Sequence, residues 1–297
     1  MKKNGLGMTV FRSFLFAPGN DARKVGKVFS FDACAVILDL EDAVPIDEKP
    51  AARGQVVNAL KQDRSCLGYV RVNAYDTEFC YRDFVTVVGP WLDGIVLPKV
   101  ESIDQVKGAD WLLGNLEREH GLSIGTLDLI PIVETAKGLQ AVERIASSGT
   151  RVQRLILGGA DLSSDLNLDN PSDEWTLAHA RATIVQASRA ADIDPPIDTV
   201  WLDVQDLTNM EKAALRAKQM GFQGKACIHP SQVNVVNKVF SPTAAEIKHA
   251  EEIVLAFDKA KAQGSASIQM DGQFIDYAIV RKAQRTLELA ETIRRQS

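Results

Sequence analysis

Eight short runs of apolar, β-favouring residues recur along the chain, with amphipathic helical stretches between them. The runs are 13–17, 35–40, 69–72, 94–97, 129–133, 154–157, 199–202 and 225–228. This alternation is expected of parallel βα units and not of a sandwich. VILDL, GIVLP and RLILG are near-continuous in apolar residues, as strands covered on both faces must be. Helical periodicity is clearest over 49–61, 103–119, 136–147 and 174–191. Eight such repeats in about 230 residues match a closed (β/α)8 barrel, a TIM barrel, better than an open doubly wound sheet.

Nearly every run ends in polar or charged residues: Asn20, then Asp39 and Glu41, Arg71 and Asn73, Lys99, Glu134, Asp161, Asp203 and His229. Barrel enzymes carry their chemistry at the C-terminal strand ends, so the distribution points to an enzyme. After Phe240 the pattern changes. A long helix begins near Ser241-Pro242 and runs to about Lys261, a Gly/Ser-containing connection covers 264–272, and a last helix runs from Tyr277 to about Arg295. Residues 1–240 are therefore assigned to a catalytic barrel and 241–297 to a C-terminal helical extension that packs on the barrel or reaches a neighbouring subunit.

Composition narrows the classes. With 45% apolar and 25% charged residues the chain suits a soluble globular protein. No run approaches the roughly 18 apolar residues of a membrane span. The opening MKKNGLGMTV has no apolar stretch of the signal-peptide kind, and a cytoplasmic protein without a membrane partner is expected. A net charge of -5 argues against a nucleic-acid surface. Cys34, Cys66, Cys80 and Cys227 form no C-x-x-C pair, so neither a zinc ribbon nor a disulfide framework is suggested.

Glu134 ends the fifth run in LIPIVETAKG and Asp161 ends the sixth in LILGGADL. Adjacent strand ends bring two carboxylates close enough to share a cation and leave positions for water and substrate oxygens. That is the habit of magnesium; zinc would want clustered histidines or thiolates, and His120, His179, His229 and His249 are scattered. Taken as an isolated pair, the two acids also read as strand ends that meet Lys or Arg. Arg71, in YVRVNAYD, is the candidate clamp for a substrate carboxylate, held by two parallel hydrogen bonds, with a salt bridge to Asp39 or Glu41 as the alternative. Small residues over 136–138 and 158–161 make the backbone N–H groups of Gly138, Ala160 and Asp161 further candidate donors to a carboxylate. Asp39 and Glu41 are placed behind this layer, orienting Arg71 or a metal-bound water. Asp276, just before the last helix, reads by itself as an N-cap.

The segments RSFLFAPGN, VILDLEDAVPIDEKPAAR, VRVNAYDTE, GIVLPKVES, PIVETAKGL, LGGADL, DTVWLD, GKACIHPSQV and DGQFID, in this order, resemble the citrate lyase β-subunit family, which includes citramalyl-CoA and malyl-CoA lyases. The resemblance runs from Arg12 almost to the C-terminus. It implies that Glu134 and Asp161 bind Mg2+, that Arg71 grips the carboxylate of a 2-oxo acid, and that Asp276 is an acid/base offered across a subunit interface. It implies coenzyme A as the acyl carrier, with Arg23, Lys24 and Lys27 as candidates for its phosphates; a solvated helix face is the alternative for each. An acyl-carrier-protein thioester remains open as the carrier. A homo-oligomer, trimer or hexamer, is implied, with other citrate-lyase subunits as further partners.

The expected reaction is cleavage of a 3-hydroxy-3-carboxyacyl thioester (citryl-CoA, citramalyl-CoA or malyl-CoA) to acetyl-CoA and oxaloacetate, pyruvate or glyoxylate. Three rivals stand beside it: a Schiff-base aldolase with Lys99 as nucleophile, a malyl-CoA thioesterase using the same metal site, and a non-catalytic binding subunit that keeps only the barrel.

Overall fold

The structure is a computed structural model that describes residues 10–168, 175–262, 267–270 and 272–296. Strands β1 (Ser13–Pro18), β2 (Ala35–Asp39), β3 (Leu67–Arg71), β4 (Gly94–Leu97), β5 (Asp128–Val133), β6 (Ile156–Leu157), β7 (Ile197–Asp198) and β8 (Gly224–Cys227) pair in parallel in chain order, and β8 closes on β1. The expected barrel is what the chain forms.

Side chains alternate across each strand, and the two faces build two cores. Phe14, Ile37, Tyr69, Val96, Ile130 and Ile156 fill the barrel interior. Leu15, Leu38, Val70, Ile95, Leu129 and Leu157 point outward and pack under the surrounding helices. Those helices include α1 (Ala22–Val25), α2 (Lys49–Leu60), α3 (Cys80–Val87), α4 (Ile103–Glu119), α5 (Ala136–Ala146), α6 (Gly159–Asp165), α7 (Ala178–Ala190), α8 (Leu207–Met220) and α9 (Pro230–Phe240). Local signals set their starts: Ser102 and Gln105 form a reciprocal capping box on α4, and Thr135 caps α5. At the N-terminal end of the barrel, Arg154 lies 3.8 Å over the Phe11 ring and pairs with Asp128 and Asp194. The Tyr69 hydroxyl donates to Asp128 at 3.2 Å. These contacts plug that end, which leaves the C-terminal mouth for chemistry.

The seventh strand departs from expectation. Residues 199–202 were expected to form it, but β7 is Ile197–Asp198 and Thr199 onward is loop. The register is set by the Asp198 to Lys225 pairing with β8, and the apolar letters of 199–202 mislead because Leu202 is exposed. Asp203 accordingly ends no strand; its Oδ1 accepts the Gln205 and Asp206 amides in an exposed turn. The helix expected from Glu174 begins at Ala178 among the described residues, and Glu174 itself lies outside them.

Two compact units divide the chain. Phe11–Phe240 is the barrel; Ser241 onward, together with Val10, is the other. In the second, α10 (Ala244–Ala262) and α11 (Tyr277–Gln296) enclose a small core of Ala250, Ile253, Phe257, Ile275, Val280 and Ala283. The connection expected over 264–272 contains more than loop: β9 (Ile268–Met270) pairs antiparallel with β10 (Gln273–Ile275), and Gly272, at φ +79°, occupies the turn. None of the described helices is long and apolar enough to cross a membrane.

Candidate active site at the C-terminal mouth

Parallel strands end at one rim, and period-2 alternation aims the last inward side chains over the barrel axis. Asp39 is the last residue of β2 and Arg71 the last of β3, directly paired in register. Glu134 follows β5, and Asp161 lies in the first turn of α6, just after β6.

Arg71 is gripped side-on by Asp39: Nε donates to Oδ1 at 2.8 Å and Nη2 to Oδ2 at 2.7 Å. The Phe16 ring lies 5.2 Å away. Glu41 Oε2 stands 3.0 Å from Nη1 as an ion pair, without hydrogen-bond alignment. The salt-bridge alternative thus holds, and it limits the clamp. Two of the five guanidinium N–H groups are committed to Asp39, so a substrate carboxylate has the Nη1/Nη2 end to approach. Burial opposes the Arg71 charge, but Asp39, Glu41 and Glu134 outweigh it and raise its pKa.

Glu134 is buried, and its Oε1 accepts the Lys99 amide at 2.8 Å. Burial first, and the negative charge of Asp161 second, push its carboxyl well above the usual range, with Arg71 pulling the other way. Gly158 makes room for Glu134: a Cβ there would lie 2.3 Å from Glu134 Oε2 and 2.4 Å from its Cβ. The glycine of LGGAD thus seats Glu134 and offers no ligand atom.

The backbone donors are corrected in part. The Gly138 amide is taken by Thr135 Oγ1 at 3.0 Å and the Ala136 amide by Asp165 at 2.7 Å, both as helix caps of α5. Gly138 is small because a Cβ would meet the Val100 carbonyl at 2.4 Å. The Gly159 amide donates to Thr199 Oγ1. Ala160 and Asp161 lie in the first turn of α6, where amides have no intrahelical acceptor.

Behind the rim lies a network that reading the sequence did not assign. Lys49 is buried, and its Nζ donates to the Leu40 and Glu41 carbonyls at 2.8 and 2.6 Å. Arg53 pairs with the fully buried Asp83 at 2.7 Å, and Asp83 in turn accepts both the amide and the side chain of Asn73. Asn73 also donates to the Leu40 carbonyl. The K-x-x-x-R spacing at Lys49 and Arg53, one helical turn apart, was the available signal. Lys99 holds Glu41 Oε1 at 2.5 Å and Asp42 at 3.2 Å. Burial opposes its charge, but Glu41 and then Asp42 outweigh it and hold the ammonium above its ordinary pKa.

The remaining candidates are spread out. Arg23, Lys24 and Lys27 are exposed around the short α1, and Lys24 pairs with Asp21 at 3.4 Å. Asn20 bonds Glu48, and His229 bonds Ser231. Asp276 belongs to the second compact unit, where its Oδ1 accepts the Ala278 and Ile279 amides at 2.9 and 3.1 Å, as an N-cap does. Among the described residues no group of three or more His, Cys, Asp or Glu side chains is arranged to hold a metal ion.

An aldolase-type barrel with acidic and guanidinium groups at its rim defines the class, and comparison with known proteins identifies the family. The family model for HpcH/HpaI aldolase/citrate lyase matches residues 12–230. The citrate lyase subunit beta of Leuconostoc mesenteroides subsp. cremoris is 35% identical over 281 residues, covering 94% of this chain and 93% of that protein. An L-malyl-CoA/beta-methylmalyl-CoA lyase of Cereibacter sphaeroides is 34% identical, covering 95% of each. Among solved structures, CitE of Mycobacterium tuberculosis in complex with magnesium, acetoacetate and coenzyme A superposes with a TM-score of 0.78 at 29% identity, over 95% of this chain and 98% of that one. The chain belongs to the HpcH/HpaI aldolase/citrate lyase family, and it is an enzyme of the lyase type.

Proposed function

We propose that this enzyme is a Mg2+-dependent lyase that cleaves a carbon-carbon bond in a 3-hydroxy-3-carboxyacyl thioester of coenzyme A, releasing acetyl-CoA and a 2-oxo acid. Glu134 carries the reading: it is a buried carboxylate at the catalytic rim of the barrel, with a second acid beside it and a guanidinium opposite. Asp39, Glu41 and Asp42 pair with Arg71 and Lys99, with Lys49 bonded close behind them, and Glu134 and Asp161 add two further acids at the same rim, an excess of negative charge that suits a divalent cation. Glu134 and Asp161 are the residues that would hold it. Two oxygen ligands with other positions left for water and substrate suit magnesium. Bound there, Mg2+ supplies a Lewis acid that favours ionisation of the substrate hydroxyl and the carbonyl it becomes.

The chain's own residues do the rest. Arg71 orients the carboxylate next to the carbinol carbon through its Nη1/Nη2 end, while Asp39 and Glu41 hold the guanidinium in place. The substrate hydroxyl gives its proton to solvent and its oxygen becomes the oxo-acid carbonyl as the carbon-carbon bond breaks; the electrons of that bond pass into the thioester enolate, and the oxo acid departs. Asp276, offered by a neighbouring subunit in a homo-oligomer, gives the enolate the proton that completes acetyl-CoA. Its Oδ1 caps α11, so Oδ2 is the oxygen for this transfer. General acid help of this kind is worth about 10²- to 10⁴-fold in rate. Arg23, Lys24 and Lys27 are exposed cations suited to coenzyme A phosphates. The Lys99 aldolase is disfavoured, because an ammonium bonded to Glu41 and Asp42 is protonated and not nucleophilic.

The test is acetyl-CoA release from citryl-CoA, citramalyl-CoA and malyl-CoA, with Mg2+ and with EDTA. Activity with one or more that needs Mg2+ and is lost in Glu134→Ala and Asp276→Ala is the expected result. Full activity in either variant would falsify the mechanism, and release of malate with coenzyme A instead of glyoxylate would identify a thioesterase.

A further inference from the structure

Lys99 is the rim residue for which the mechanism above has no use, and its geometry is unusual at both ends. Its backbone sits at φ +50°, the left-handed region that a residue with a Cβ rarely adopts. That conformation turns its N–H onto Glu134 Oε1 at 2.8 Å. Its side chain runs the other way, and the ammonium meets Glu41 Oε1 at 2.5 Å and Asp42 Oδ1 at 3.2 Å. Glu41 and Asp42 are also the acids nearest the open end of Arg71, at 3.0 and 3.7 Å from Nη1. One residue thus touches the carboxylate on the metal side and, through two acids, the guanidinium on the substrate side. Strained backbone of this kind persists only where the surroundings over-determine it.

We infer that Lys99 is a positioning residue whose two ends serve two different binding steps: its amide aims Glu134 for the cation, and its ammonium holds the other oxygens of Glu41 and Asp42, so that these acids stay as ion pairs beside Arg71 without taking its N–H groups, which are left for the oxo-acid carboxylate. This rests on the functional reading above. Without the ammonium, Glu41 and Asp42 compete for Nη1 and add uncompensated negative charge where an anionic substrate must bind. The amide is unaffected by any side-chain change that keeps the backbone conformation. Glycine accepts φ +50° without strain, so Lys99→Gly removes one function and preserves the other.

The experiment measures two affinities by calorimetry on the intact oligomer: Mg2+ alone, then oxaloacetate, pyruvate and glyoxylate at saturating Mg2+. In Lys99→Gly, Mg2+ binding is expected to be unchanged or up to about twofold tighter, and oxo-acid binding about tenfold weaker, since one nearby positive charge is lost. Lys99→Met should behave alike for the oxo acid, and Lys99→Arg should recover most of its affinity. KM for the thioester should rise with little change in kcat. A purely structural role predicts that both affinities fall together with thermal stability, and that result overturns the inference. Undiminished oxo-acid binding in Lys99→Gly also overturns it, while leaving the lyase reading standing if the wild type cleaves thioester with Mg2+. A wild type that binds neither Mg2+ nor oxo acid sinks both.

Discussion

At the scale of single residues, what matters at the rim is room as much as charge. Gly158 is the sharpest case, because any Cβ there would overlap both the Cβ and Oε2 of Glu134. Gly158→Ala is therefore expected to displace Glu134, reduce lyase turnover at least about 100-fold and destabilise the fold by about 1–3 kcal/mol, as overpacking does. Turnover at saturating Mg2+ and urea unfolding check the two parts. Thiols give a second residue-scale expectation. Burial pushes Cys80 and Cys227 up to about 12 and Cys66 up to about 11. Thiolate, not thiol, is the nucleophile. At pH 8 a disulfide reagent should leave Cys80 and Cys227 unmodified in the native protein and titrate all four cysteines after denaturation.

At the scale of elements, the rim is rigid because helices reach back to strand ends. Lys49 at the start of α2 and Asn73 after β3 both fasten the Leu40 carbonyl, while Asp83 on α3 joins Asn73 to Arg53 on α2. Lys49→Met keeps the length of the side chain but leaves the Leu40 and Glu41 carbonyls short of a donor. It should cost about 1–3 kcal/mol in unfolding free energy. Because Glu41 hangs from the same segment, KM for the thioester should rise as well; unchanged KM with lowered stability would confine Lys49 to folding. The placement of Glu134, Asp161, Arg71 and the Asp39/Glu41 pair at the C-terminal rim was legible in the sequence, because each sits at or just past the end of a strand run. The network behind them was not. Lys49 and Arg53 look like ordinary helix-surface cations until the helix is laid against the barrel, and only then do they face buried carbonyls and a buried aspartate.

At the scale of the whole molecule, a buried charge cluster joins β7, β8 and α7. Asp198 on β7 accepts Lys225 Nζ at 2.6 Å and Arg181 Nε at 2.8 Å, and both Asp198 and Lys225 are fully buried. Burial by itself would raise the Asp198 carboxyl, but Lys225 and Arg181 outweigh it and hold it below its ordinary value of 3.8. A carboxylate depressed in the folded state stabilises the fold above its unfolded pKa, and the contribution is lost as pH falls through the folded value. Thermal melting should therefore be insensitive to this group from pH 5 to 8, and its contribution should begin to fall near pH 3.8 and be gone only below the lower, folded value. Asp198→Asn leaves two buried cations without their shared carboxylate, so it should cost about 3–5 kcal/mol at neutral pH and flatten the acid limb of the melting curve. Equal acid sensitivity in the variant would show that the cluster does not govern it.

The alternation of apolar runs and amphipathic helices, read from letters alone, was enough to specify a closed parallel barrel, because a strand covered on both faces and a helix covered on one leave few other packings. Motif resemblance was enough to identify the family. Tertiary structure decided what periodicity cannot encode. Register put β7 at Ile197 and Asp198, because hydrogen-bonded neighbours on β6 and β8 fix a short strand more strongly than its own hydropathy. Close packing at Gly158, the side-on hold of Asp39 on Arg71 and the left-handed backbone of Lys99 likewise depend on distances between residues far apart in the chain.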